Sequence, residues 1–187
     1  GRNILASLLK SADVLVENFR PGVLEEMGFG NKILEELNAN LIVCSISGFG
    51  ADGPYAKRPA FDFIAQALSG FMSVNGEADG PPLRSGLPIS DMVVGLYGAF
   101  AVSSTLAGNA IGKKVGFRRI DISLTDTMVS LLSFQAANFF ATGISPMRSG
   151  NDHQLVSPYG IFETSDGLLA VAPSNDNTYE KLLKALK

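Results

Sequence analysis

Cysteine is almost missing from this chain. Cys44 is the single one among 187 residues, so an intramolecular disulfide framework is excluded and no cysteine cluster is available to hold a metal. A reducing compartment is compatible with that, and no metal or permanently bound redox cofactor is expected. Histidine is equally scarce: His153 stands alone in a Gly/Asn/Asp loop, where a solvated surface imidazole is the default reading. There is no P-loop Gly-Lys-Ser/Thr and no Gly-x-Ser-x-Gly elbow, so neither a nucleoside-triphosphate site nor Ser-His-Asp hydrolysis is indicated. Basic excess is missing as well; 15 Lys and Arg against 18 Asp and Glu give a net charge of −3, which argues against a nucleic-acid partner. No run reaches the ~18–20 unbroken apolar residues of a membrane span, and no basic-then-apolar leader opens the chain. The first residue is Gly1 rather than Met, which is compatible with a leader lost upstream.

What is present is a chain 46% hydrophobic and 18% charged, suited to one α/β domain with a sizeable core. Residues 4–10 read as the last turns of a helix and 13–19 as a short apolar strand that ends at the turn Arg20-Pro21-Gly22. Helical pieces at 23–27 and 32–37 lead to a second apolar strand, 40–47. Strand, helix and strand in close succession, with both strands continuously apolar, predict a parallel sheet buried on both faces.

Beyond the second strand, Gly48 to Pro59 forms a glycine- and proline-bearing loop. Ligands of open parallel sheets bind beyond the carboxyl ends of strands, where both this loop and Asn18-Phe19-Arg20 fall. The plain alternative for each is a solvated turn, and for Lys57-Arg58 an exposed charged patch. A helix over 61–72 closes near Gly70. After Lys113-Lys114, residues 118–124 alternate as a strand, with Thr125-Asp126 as caps for a helix over 127–141. Residues 159–172 read as two strands around a Ser-Asp-Gly turn, followed by an amphipathic helix over 177–186. The expected division is 1–150 as a large nucleotide-fold domain and 151–187 as a linker with the opening of a small domain.

The chemistry concentrates at Asp91. Pro88 followed by Ser90 or Asp91 as N-cap, with apolar residues from Met92 onward, predicts a helix over 91–107 about 25 Å long. A carboxylate there meets unpaired N–H groups and the positive end of the macrodipole, which favours its ionised form and makes it a candidate nucleophile. Capping alone is the ordinary role of such an Asp. Gly95, Gly98 and Gly108 in or beside that helix cost about 1 kcal/mol each relative to Ala, which implies that something approaches it closely. Cys44, mid-strand without a basic neighbour, reads as a small core residue. Asp121 and Asp126 read as strand-edge and cap residues rather than a catalytic pair.

Taken together, Ala12 to Gly22, Ser45-Ile46-Ser47-Gly48-Phe49-Gly50 with Gly53-Pro54, and Arg58-Pro59-Ala60-Phe61-Asp62 resemble the landmarks of the class III CoA-transferases. The resemblance continues in order through Gly80-Pro81-Pro82, the Asp91 stretch, Ile120-Asp121-Ile122-Ser123-Leu124, and Pro158-Tyr159-Gly160 with Asp166-Gly167. It implies a Rossmann-like open parallel sheet with flanking helices and the start of a small second domain, mapping to the middle of proteins about twice this length. It further implies CoA transfer between an acyl-CoA and a small carboxylic acid through Asp91, by way of aspartyl anhydride and aspartyl-CoA thioester intermediates. Coenzyme A is then a substrate, contacted by Asn18, Phe19, Arg20, Arg58, Pro59, Ala60, Phe61 and Asp62. Glu26 departs from the pattern, standing where some members carry an Arg for the CoA phosphates. An interlocked homodimer, no membrane or nucleic-acid partner, and a cytoplasmic or mitochondrial-matrix location complete the implied picture. The rival within the superfamily, an α-methylacyl-CoA racemase, needs a His where this chain has Phe61; a non-catalytic CoA-binding fragment is the other alternative.

Overall fold

The computed structural model describes residues 1–112 and 116–186, so Lys113, Lys114, Val115 and Lys187 lie outside the described residues. Three parallel strands, β1 (Val14–Glu17), β2 (Ile42–Ser47) and β3 (Arg118–Ser123), form a sheet in the order β1-β2-β3. The middle strand is the most apolar, and Ile42, Val43 and Cys44 are essentially inaccessible, as a strand covered on both faces requires.

Alternation along β2 divides the core in two. Val43 joins Leu9, Leu24, Phe29, Leu34 and Leu41 on the face covered by α1 (Arg2–Leu9), α2 (Val23–Glu26) and α3 (Asn31–Leu37). Ile46 and Ile122 pack on the other face against Ala65, Val94, Leu124 and Met128, which come from α4 (Asp62–Leu68), α6 (Ile89–Ala110) and α7 (Leu124–Leu131). A single turn, α5 (Phe71–Val74), follows α4 after Gly70, whose φ of 85° closes the helix where the glycine predicted it.

Two helix expectations are corrected. The helix over 127–141 is two: α7 ends and α8 (Ser133–Thr142) begins around Leu132, whose N–H donates to Val129 three residues back and tightens the last turn. Its cap is Ser123, whose hydroxyl accepts from the Asp126 N–H at 2.9 Å, whereas Thr125 donates both N–H and hydroxyl to the Gly48 carbonyl. The central helix α6 starts at Ile89 and runs 22 residues, about 33 Å. By length and composition it is apolar enough to cross a membrane, although Gly, Ser, Thr and Asp residues interrupt its apolar run. Here it lies on the sheet: a Cβ on Gly98 would rest 3.6 Å from Cys44 Sγ and 3.7 Å from Ile46 Cδ1. These are ordinary van der Waals distances, so Gly98 sits against the sheet without being demanded by it, while Gly95 and Gly108 face open space.

The tail is a hairpin, β4 (Gly160–Thr164) with β5 (Gly167–Val171), and α9 (Asp176–Ala185), closed by a capping box between Asn175 and Thr178. Ile161, Phe162, Leu168 and Leu169 of the hairpin are exposed. His153 is not the solvated imidazole expected. Its ring sits between Phe134 and Tyr159, and its Nδ1 accepts the N–H groups of Leu155 and Val156 at 3.1 Å each, so it organises the loop before the hairpin.

Candidate active site

All three strands end on the same side, and their exits build one cleft of about 500 Å³. After β1, the Glu17 carboxylate accepts the Phe19 N–H at 2.8 Å and is itself held by Arg119, 3.5 Å away, which also pairs with Glu25 at 2.9 Å. That fixes the path of Asn18-Phe19-Arg20, three exposed residues on the cleft wall. After β2, Gly48 touches Ala60 so closely that a Cβ at position 48 would lie 2.5 Å from the Ala60 Cβ. Only glycine admits this contact, which sets Arg58-Pro59-Ala60-Phe61 along the wall.

The Gly48–Pro59 loop is held internally. Ser47 Oγ accepts from the Gly50 N–H, Asp121 accepts from the Ala51 N–H at 2.7 Å, and the Arg58 guanidinium lies 4.3 Å over the Tyr55 ring. Gly48, Gly50 and Gly53 do have the G-x-G-x-x-G spacing of dinucleotide sites. That motif opens a helix directly, however, and here turns lead to α4 only at Asp62, so the required context is missing. Asp121 lies within β3 rather than at its end, and its carboxylate serves to hold this loop.

Asp91, the third residue of α6, is exposed into this cleft beside Val94 and Gly95. It caps nothing: the helix begins two residues earlier, at Ile89, with Pro88 at the N-cap position and no side-chain cap. Most donors of the helix end are taken, because Ile89 N–H donates to Leu87, Ser90 N–H to Asp62 and Met92 N–H to Pro88. The expected bias toward the ionised form is reversed. Partial burial, and secondly the nearby Asp62 carboxylate, push the Asp91 carboxyl above its ordinary range. Burial likewise raises the Cys44 thiol, with a smaller push from Glu17, so Cys44 remains a core residue.

Of the residues singled out in the sequence, Asn18, Phe19, Arg20, Arg58, Pro59, Ala60 and Phe61 line the cleft with Asp91. Asp62 does not; it turns behind the wall to Ser90 and Gln66. Sequence reasoning missed Ser47, Gly48 and Gly95 as wall residues. The signal for Gly95 was its place one helical turn after Asp91, on the same face. His153 lies outside the cleft, and Phe61 stands on its wall. Among the described residues no three His, Cys, Asp or Glu side chains gather as metal ligands.

The model of CoA-transferase family III matches residues 1–187. The chain is 38% identical over 186 residues to a succinate–glutarate CoA-transferase of Agrobacterium fabrum, covering all of this chain and 46% of that protein. It is 35% identical over 186 residues to the human succinyl-CoA:glutarate CoA-transferase, again along its whole length and over 42% of the relative. An acetyl-CoA:oxalate CoA-transferase of Acetobacter aceti matches 97% of the chain at 38% identity. Among solved structures, a CAIB/BAIF family protein from Brucella suis superposes with a TM-score of 0.86 at 40% identity, covering 100% of this chain and 49% of that one. The chain therefore spans a little under half the length of these relatives. Since the family's model runs from the first residue to the last, the chain belongs to CoA-transferase family III.

Proposed function

We propose that the full-length protein of which this chain is a part moves coenzyme A from an acyl-CoA thioester to a free carboxylic acid, with Asp91 as the nucleophile. One observation carries this reading: the cleft at the carboxyl ends of the sheet brings a single carboxylate, Asp91, onto a wall shared with two cations, Arg20 and Arg58. An anionic, phosphate-bearing thioester suits the cations, and a carboxylate is the one side-chain type that can be carried through both an anhydride and a thioester.

In this reading an Asp91 oxygen attacks the thioester carbonyl and the C–S bond breaks, leaving an aspartyl acyl anhydride and CoA thiolate. The thiolate attacks the Asp91 carbonyl, releasing the donor acid as carboxylate and forming the aspartyl-CoA thioester. An acceptor carboxylate then attacks that thioester, and the expelled thiolate takes the acceptor's acyl carbon, regenerating Asp91. No net proton is gained or lost. Charge on the tetrahedral oxygens falls to cleft groups such as Arg20 and Arg58, since the N–H groups of Ile89, Ser90 and Met92 at the start of α6 are already bonded.

The relatives with named acids support small dicarboxylates as substrates. The same proposal assigns residues 1–150 to the large CoA-binding domain and 151–187 to the opening of a small one, in a cytoplasmic homodimer. The test is intact-mass analysis of the full-length protein incubated with short acyl-CoAs, then hydroxylamine trapping and peptide mapping. An adduct on the Asp91 peptide, lost in Asp91→Ala together with transfer, is expected. No adduct with any donor, accompanied by exchange of the substrate α-proton in deuterated water, would replace this reading with a racemase.

A further inference from the structure

Helix α6 has no cap of its own, yet its first turn is tied by a carboxylate from another element. One Asp62 oxygen accepts both the N–H and the hydroxyl of Ser90, each at 2.9 Å, and Ser90 is fully buried. The other oxygen accepts from Gln66 Nε2 at 2.7 Å. The Gln66 carbonyl in turn accepts the Ser85 N–H at 2.8 Å, and Gln66 is fully buried too. Both ends of the 85–90 turn are therefore fastened to α4 through one aspartate and one glutamine.

We propose that Asp62 is the positioning residue for Asp91: it supplies from α4 the cap that α6 lacks and, through Gln66, locks the turn that delivers the Asp91 carboxylate into the cleft. The assignment rests on the reading of Asp91 as nucleophile. Three features make the arrangement more than helix capping. Asp91 follows Ser90 directly, so a shift in the Ser90 backbone is transmitted to it without slack. Phe61, immediately before Asp62, lines the cleft, so the same short segment contributes both a wall and the clamp behind it. And the charge on Asp62 faces Asp91, so the clamp also adjusts the basicity of the group it holds. The other charged groups lining the cleft are Arg20, from the loop after β1, and Arg58, from the loop that leads into α4.

Asp62→Ala removes the clamp and the charge, leaving the Ser90 N–H, the Ser90 hydroxyl and the Gln66 amide without partners. Asp62→Asn keeps an acceptor for Ser90 but removes the charge and sets an amide N–H₂ against the Gln66 N–H₂. In the full-length protein, Asp62→Ala is expected to lower kcat about 10²-fold, as misplacement of a reacting group does, with little change in KM for the acyl-CoA. Asp62→Asn should lose less, and the acid limb of its kcat profile should move to lower pH. Trapping of the Asp91 adduct in the parent protein is run alongside. If the parent forms no Asp91 adduct, the nucleophile assignment fails. If the parent forms it and both variants form it at the parental rate with an unmoved acid limb, the Asp62 inference is overturned. A loss of kcat matching only the unfolded fraction seen by circular dichroism also overturns it. Should Asp62→Ala not fold, the rate and pH profile of Asp62→Asn decide.

Discussion

A carboxyl raised above its ordinary value pulls stability and activity in opposite directions. Because the folded state holds Asp91 in its protonated form more readily than the unfolded chain does, the stability it contributes is present below the ordinary carboxylate range of about 4 and is lost as pH rises through the raised value. Asp91→Asn, which cannot ionise, should therefore melt no lower than the parent at pH 7, and the two should converge in acid; melts at pH 7 and pH 3 check this. Transfer needs the ionised form, so the acid limb of activity should fall above the pH of an unperturbed Asp. Gly95 makes the complementary case. A methyl added there meets no protein atom within 4 Å, and Ala is favoured over Gly in a helix by about 1 kcal/mol. Gly95→Ala should thus hold or raise the melting temperature while weakening acyl-CoA binding by narrowing the cleft one turn from Asp91. Calorimetry with and without CoA ester separates the two effects.

At the scale of elements, the strands were legible because continuous apolar runs between turns leave little choice of structure, and β2 is buried as its sequence demands. The start of α6 was misplaced for a physical reason. Asp and Ser beside a Pro look like local caps, whereas the acceptor that serves the Ser90 N–H sits 28 residues earlier in the chain, on α4. The break at Leu132 was equally hidden, since nothing in an apolar helical run announces one tightened turn. Glycines could be found but not interpreted: only the close approach of Ala60 tells why Gly48 is there. Gly48→Ala must push the Ala60 segment away from the end of β2. It should cost about 1–3 kcal/mol by overpacking and weaken CoA binding as Arg58 to Phe61 shift, which denaturant titration and binding isotherms will measure.

For the whole molecule, the telling feature is apolar surface left uncovered. Leu96 and Phe100 on α6 and Phe140 on α8 are 69%, 74% and 83% exposed, far more than isolated surface hydrophobes need. The proposed homodimer predicts that these side chains are covered by a second copy. The chain expressed alone should self-associate, and Leu96→Glu with Phe100→Glu should shift it toward the monomer in sedimentation velocity. An unchanged, monomeric sedimentation coefficient in both would remove this face from the interface. None of this could be read in the sequence, where a long apolar helix looks the same whether a sheet, a partner or water lies against it.

Cys44, wedged under Gly98 between sheet and central helix, turns the fold into its own clock. With one thiol in the chain, every alkylation event reports the same opening, the lifting of α6 from β2. The labelling rate at fixed reagent and pH gives the population of that open form directly. Comparing it with and without a CoA ester would tell how tightly a ligand in the cleft closes the seam beneath it.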